Sequence, residues 1–325
     1  MFPTADKRRG LSIEAARPDS ILPGIALMLG FCATAPLIDA ASKLAAATLP
    51  VGQITAARFV VQAALMAPVC LALGHSLRLP KGTGWATVGR ALCLIASTYC
   101  FVAALVVMPI ADALAIAFVE PFLLLILGHL IFGDQIGPRR IAASVVGFAG
   151  SLLVIQPSFA VFGPVALFPL GTALFFALYM LITRGLSRRL HPIAMQYHTA
   201  SVATVLCLPV MLLALGRDWP TLSPIWPEGL AWVWLAGVGA ASAVAHLMMT
   251  YALRSAPAAT LAPLHYLEIV SAVTLGYAIF GDFPNLLTWA GIGVIVASGL
   301  YVIARERAVA RAPATVAIAT GTTPP

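Results

Sequence analysis

"LGHLIFGDQIGPRR" occupies residues 127–140, and 148 residues further on the chain reads "LGYAIFGDFPNLLT" at residues 275–288. A phrase written twice at a fixed separation marks a duplicated unit and decides the architecture before any local reading. Sliding residues 104–155 along residues 252–303 without a gap gives 17 identical pairs out of 52. They include Pro109 with Pro257, Glu120 with Glu268, Gly133 with Gly281, and Asp134 with Asp282. Shared apolar composition supplies some of these matches, but it does not align a glutamate with a glutamate inside hydrophobic runs.

The runs themselves set the solvent. Of 325 residues, 61% are hydrophobic and 10% charged, where soluble domains carry about 45–50% and about 25%. Apolar stretches long enough to cross a bilayer as helix fall near 21–41, 53–73, 85–107, 110–131, 140–157, 161–183, 193–215, 229–252, 258–280 and 286–304. The expectation is an all-α integral membrane protein of ten transmembrane helices. Connections such as "FGDQIGP" (132–138) and "GDFPN" (281–285) are short and rich in Gly and Pro. No soluble domain fits between the spans.

Net charge is +7, but the basic residues follow topology. Lys7, Arg8, Arg9, Arg17, Arg78, Lys81, Arg139, Arg140, Arg184, Arg188, Arg189, Arg254, Arg305, Arg307 and Arg311 all fall on one side of a ten-span arrangement, leaving Lys43 and Arg217 on the other. This is the positive-inside pattern. It explains the basic balance with a lipid bilayer as partner and no nucleic acid, and it puts both termini in the cytoplasm. Five spans per half is an odd number, so the second half enters the bilayer from the opposite side. The chain then reads as two inverted five-helix repeats, residues 21–157 and 158–304, between cytoplasmic tails at 1–20 and 305–325. A homodimer is left open.

Inverted repeats suit alternating access, with substrate bound between the halves near the midplane. Charges inside a bilayer cost about 2.5–3.5 kcal/mol on insertion scales and therefore mark function or pairing. Asp39 and Lys43 share one helical face at the spacing where opposite charges meet. They read either as part of a substrate path or as an ion pair at the outer end of the first helix. Arg58 either holds an anionic or carbonyl-rich substrate or ties the second helix to a carboxylate such as Asp39. Glu120 precedes Pro121, which removes the backbone bond to Ala117 and kinks the helix. Its mate Glu268 follows Pro263 by five residues, which assigns the ninth helix a kink of its own. His265 stands one turn before Glu268 and on the same face, placed either to tune it or to contribute to a site. Phe118, Phe122 and Tyr266 offer flat walls, with Tyr99, Tyr179 and Tyr197 as further aromatics near the centre.

Other residues invite plainer readings. Arg90 and Arg254 lie near span ends, from which their side chains snorkel to the interface. Asp112 caps the start of the fourth helix. His129, His198 and His246 have no partner visible in sequence, and the five cysteines show no paired spacing. Zinc-protease and nucleophile-elbow patterns are missing from the sequence, as is a phosphate-cradling loop. The expectation is therefore a carrier and not an enzyme, with no cofactor and no metal.

The chain resembles the drug/metabolite transporter superfamily, EamA branch, over roughly residues 22–304. The resemblance rests on "DAASKLAA" (39–46), "ARF" (57–59), and Pro109, Ala111, Ala113 and "EP" (120–121) leading to "FGD" (132–134), echoed in the second half. It implies a secondary transporter of a small metabolite in a bacterial inner membrane, and an architectural arginine at position 58. The branch includes carriers of amino acids, S-adenosylmethionine and riboflavin. The "DAASKLAA" and "ARF" opening is most similar to the riboflavin-uptake members.

Overall fold

The computed structural model describes residues 18–133, 137–155, 163–281 and 286–311, and every regular element among them is helical. In the first half these are α1 (Pro18–Ala46), α2 (Val51–Ala72), α3 (Gly84–Leu105), α4 (Ile110–Ala117), α5 (Glu120–Phe132) and α6 (Pro138–Ile155). A 3-10 turn, Gly163–Ala166, opens the second half. It leads into α7 (Leu167–Leu186), α8 (Pro192–Ala214), α9 (Ala231–Ser255), α10 (Ala258–His265), α11 (Glu268–Leu275), a π turn over Gly276–Phe280, and α12 (Leu286–Arg311).

Among the described residues, seven stretches are long and apolar enough to cross a membrane, one of them Thr260–Phe280, which a break divides. Shorter apolar stretches fall at Glu120–Phe132, at Ile141–Gly150 within α6 and at Trp289–Ser298 within α12. The expected fourth span is not one helix. It divides into α4 and α5 at Phe118–Val119, where Pro121 offers no N–H to the carbonyl of Ala117. The distribution of polarity is that of a protein in lipid. Leu71, Leu130, Val205 and Leu212 are exposed, whereas Arg58, Arg90, Glu120, Glu268 and His246 are buried.

The second half breaks at the corresponding place. Adding 148 to the bounds of α4 and the start of α5 gives the bounds of α10 and the start of α11. Here the structure corrects the reading of Pro263, which lies inside α10 while the break falls at Tyr266–Leu267. The support is tertiary instead. The Cys32 thiol of α1 reaches the Leu264 carbonyl at 3.5 Å, and the Tyr266 ring fills the space above Gly147. Both broken helices end on a left-handed glycine, Gly133 with φ 68° and Gly281 with φ 77°. Each glycine N–H bonds the carbonyl four residues back, a close suited to a residue without a Cβ. Asp134 and Asp282, beyond these caps, lie outside the described residues, as does the Asp112 side chain.

Packing repeats the same theme. The longest contacts run between α1 and α9, α3 and α7, α2 and α8, and α6 and α12. Exchanging each helix for its counterpart in the other half returns the same set of pairs. The bundle thus encloses a space walled by α1, α3, α7 and α9, with the two helix breaks along one side.

Candidate functional site

The two breaks carry the site. Glu120 and Glu268, the first residues of α5 and α11, are 2% and 5% exposed. Between them stands His265, the last residue of α10. Its Nδ1 lies 2.6 Å from Glu120 Oε2 and its Nε2 lies 2.9 Å from Glu268 Oε2. A carboxylate only accepts, so each contact contains one proton. A neutral imidazole carries a single N–H, so the second contact needs a further proton, on His265 or on a carboxyl. Glu120 Oε1 is buried with no partner.

A second network lies on the other side of the same space. Arg58 of α2 donates from Nη1 to Thr98 Oγ1 of α3 and from Nη2 to His246 Nε2 of α9. An arginine cannot accept, so the proton of a neutral His246 belongs on Nδ1, which faces the Tyr179 hydroxyl at 2.9 Å. Arg90 donates to that hydroxyl at 2.7 Å. Its other nitrogens bond Thr183 at 2.8 Å, the Met195 carbonyl at 3.4 Å, and Thr199. Helices α2, α3, α7, α8 and α9 are thereby tied through two arginines. Aromatic rings join the networks. Phe31 and Phe176 lie 6.4 Å apart at 22°, and both pack against His246 and His265. About 640 Å³ of space unfilled by protein atoms, counting its mouth, lies among Phe31, Asp39, Arg58, Phe118, Phe176 and the His265 cluster.

Of the residues singled out in sequence, Asp39, Arg58, Phe118, Glu120, His265 and Glu268 meet at this cavity. Phe122 and Tyr266 do not line it. Phe122 packs edge-on against Phe148, with centroids 5.3 Å apart. Tyr266 is buried against Phe118 at 5.4 Å and donates to the Phe118 carbonyl at 3.3 Å. Lys43 also serves other surroundings than Asp39, since it donates to the Met108 carbonyl at 3.0 Å and lies over the Phe280 ring. Arg90 does not snorkel. It is 0% exposed, because hydroxyls of α7 and α8 reach it inside the bundle.

Sequence reasoning missed Phe31, Phe176, Thr98 and the role of His246. The pairing of Phe176 with Tyr179 one turn apart on α7 was the one local signal available. His246 has no comparable clue, since its partners come from α2 and α7.

A family model described as the EamA-like transporter family matches residues 22–156 and again residues 163–304. A riboflavin transporter of Rhizobium johnstonii is 31% identical over 234 residues, 71% of this chain and 74% of that protein. An S-adenosylmethionine uptake transporter of Rickettsia prowazekii is 26% identical over 286 residues, 88% of this chain and 94% of that protein. A pseudopaline exporter of Pseudomonas aeruginosa is 27% identical over 298 residues, covering 89% and 98%. A crystal structure of another protein superimposes with a TM-score of 0.69 at 20% identity, covering 90% of this chain and 99% of that one. It shares the fold.

Proposed function

Because the chain belongs to the EamA-like transporter family, we propose that it is a bacterial inner-membrane carrier which takes up riboflavin by alternating access. The observation that carries this reading is the meeting of Glu120 and Glu268, one from each half, on His265 at the wall of a central cavity. A site built from both halves changes whenever one half moves against the other, which is what alternating access requires.

On this reading the chain has ten spans in two inverted repeats, residues 21–157 and 158–304, with both termini in the cytoplasm. The repeated break and the exchangeable helix pairs support it, as does the one-sided arginine distribution. Cysteines placed singly at Gln135 and Asn285, in a background without the native thiols, check the orientation in intact cells. An impermeant reagent should modify position 285 and spare position 135.

Riboflavin is flat and uncharged and bears a hydroxylated chain. Phe31, Phe118 and Phe176 supply aromatic faces, and the Glu120–His265–Glu268 cluster and Arg58 supply polar groups. Arg58 opposite the carboxylates would also suit the zwitterion of an amino acid, and export of such a solute is the second reading. The test is a riboflavin auxotroph without its own carrier. Expression should restore growth at low external riboflavin and give saturable entry of labelled riboflavin. Failure of a well-inserted protein to do either removes this substrate.

A further inference from the structure

The duplication can be applied to the cavity itself. Helices α3 and α4 map onto α9 and α10 at the 148-residue offset, which also pairs Gly89 with Gly237. Helices α1 and α2 map onto α7 and α8 at an offset of 141, which pairs Gly30 with Gly171 and Pro68 with Pro209. Ten residues around the cavity then fall into five mated pairs: Phe31 with Thr172, Ala35 with Phe176, Thr98 with His246, Ala117 with His265, and Glu120 with Glu268. These pairs mark a centre to which both halves contribute alike.

The rest of the lining is one-sided. Ile38, Arg58, Leu94, Ser97, Phe101 and Leu114 all come from the first half. Their mates in the second half are Tyr179, Thr199, Ser242, Ala245, Met249 and Ala262, and none of these is more than 1% exposed. Open space beside one set and close packing of the other is the asymmetry of an inverted-repeat carrier open to one side, because the counterparts of the open lining build the closed side. The packed set also has a fastening. Arg90 of α3 donates to the Tyr179 hydroxyl at 2.7 Å and to Thr199, so one arginine of the first half holds two mates on different helices of the second. The Ser242 hydroxyl is buried without a partner, and water entering along this face would supply one.

Taking the carrier reading but not riboflavin as given, we infer that Tyr179, Thr199, Ser242, Ala245, Met249 and Ala262 line the solute's second access path, closed in this structure, and that Arg90 is the positioning residue that holds it shut. The path runs to the end of the bundle where α7 and α9 finish and α8 and α10 begin. Arg184, Arg188, Arg189 and Arg254 cluster there in the sequence, which makes it the cytoplasmic end on the positive-inside pattern. None of the six side chains is charged, and serine, alanine and the flexible methionine leave a solute room to pass once the arginine lets go.

Thiol reactivity in the full-length chain without its native cysteines tests the path. Single cysteines at Ser97 and at its mate Ala245 meet a water-soluble thiosulfonate with no solute present. Position 97 should react roughly tenfold or more faster than position 245. Arg90→Ala removes bonds from a charged donor to three hydroxyls, each worth roughly tenfold in an equilibrium. It should therefore raise the rate at 245 at least about tenfold and lower the rate at 97, since one population grows at the other's expense. If Arg90→Ala does not insert, Tyr179→Phe, which keeps the ring and removes one acceptor, should give the same reciprocal change by about threefold. Equal rates in the parent, no rise at 245, or a rise at 245 without a fall at 97 overturns the inference. Labelled uptake by the cysteine-free parent judges the carrier reading apart. Uptake with an unmoved position 245 removes the path and leaves the carrier, whereas reciprocal reactivity without riboflavin entry supports the path and removes only that substrate.

Discussion

The first helix break joins Ala117 to Glu120 through Phe118 and Val119, and the second joins His265 to Glu268 through Tyr266 and Leu267. Position by position they are the same device, with a glutamate opening the second segment and an aromatic ring just before it. They differ at the last residue of the first segment, where one half has a methyl group and the other an imidazole. That one difference makes the pair of glutamates into a bonded cluster, because His265 reaches both while Ala117 reaches neither. Duplication supplies the geometry, and divergence supplies the chemistry.

Erasing the difference should have the largest effect. His265→Ala makes the second break like the first and leaves two buried carboxylates facing a void. Removing one member of a buried, bonded charge cluster costs about 3–5 kcal/mol, so thermal unfolding in detergent should fall markedly and uptake should cease. If His265→Ala folds and transports as the parent does, the cluster is incidental to function. Adding Ala117→His to His265→Ala moves the imidazole to the other half. Partial recovery of uptake would show that the cluster matters more than the half that bears it.

The two glutamates come next. Glu120→Gln and Glu268→Gln keep the volume and remove charge, so both should lower transport with little loss of folded protein. Glu120→Gln should be the more severe, roughly tenfold or more in transport rate, because only Glu120 bridges from the first half and has a buried oxygen without a partner. Initial uptake rates normalised to inserted protein check the order. Equal and negligible effects across a range of pH would reduce both carboxylates to packing.

The glycines that close the broken helices should respond alike. At Gly133 and Gly281 the backbone is left-handed, so alanine costs about 1–2 kcal/mol at each through strain, without removing any contact. The two variants should lose similar thermal stability and retain transport. Unequal losses would mean that the caps bear different loads despite their shared geometry.

Much of this was legible in the chain. The 148-residue echo aligned the two glutamates that open α5 and α11, and Pro121 placed the first break, since a missing N–H acts locally. The turn spacing of His265 and Glu268 put both on one face, and the alignment of Glu120 with Glu268 put both carboxylates at the cavity. The second break was misassigned to Pro263 because its support comes from Cys32 and Gly147, on helices far away in sequence. His246 and Arg90 were misjudged for the same reason. Their partners lie on α2, α7 and α8, and no spacing within α3 or α9 encodes them. The Asp39–Lys43 spacing permitted a pair, but the Met108 carbonyl beyond the end of α3 engages the lysine.

The smallest expected effect concerns the aromatic mates Phe118 and Tyr266, which pack edge to face at 74° and differ by one hydroxyl. Tyr266→Phe copies the first half's residue onto the second. The ring packing and the space it fills above Gly147 remain, while the bond to the Phe118 carbonyl is lost. At 3.3 Å that bond is long, and a neutral hydrogen bond contributes about 0.5–1.5 kcal/mol net. The loss should sit at the lower end of that range. Uptake should be unchanged, since the hydroxyl faces a backbone atom and the side chain does not line the cavity. A small drop in thermal stability with normal transport would confine the hydroxyl to bracing the two breaks against each other. A large drop in transport at normal stability would mean that the contact must form and break during the cycle, and would place the moving boundary between the halves at Phe118 and Tyr266 instead of at the glutamates.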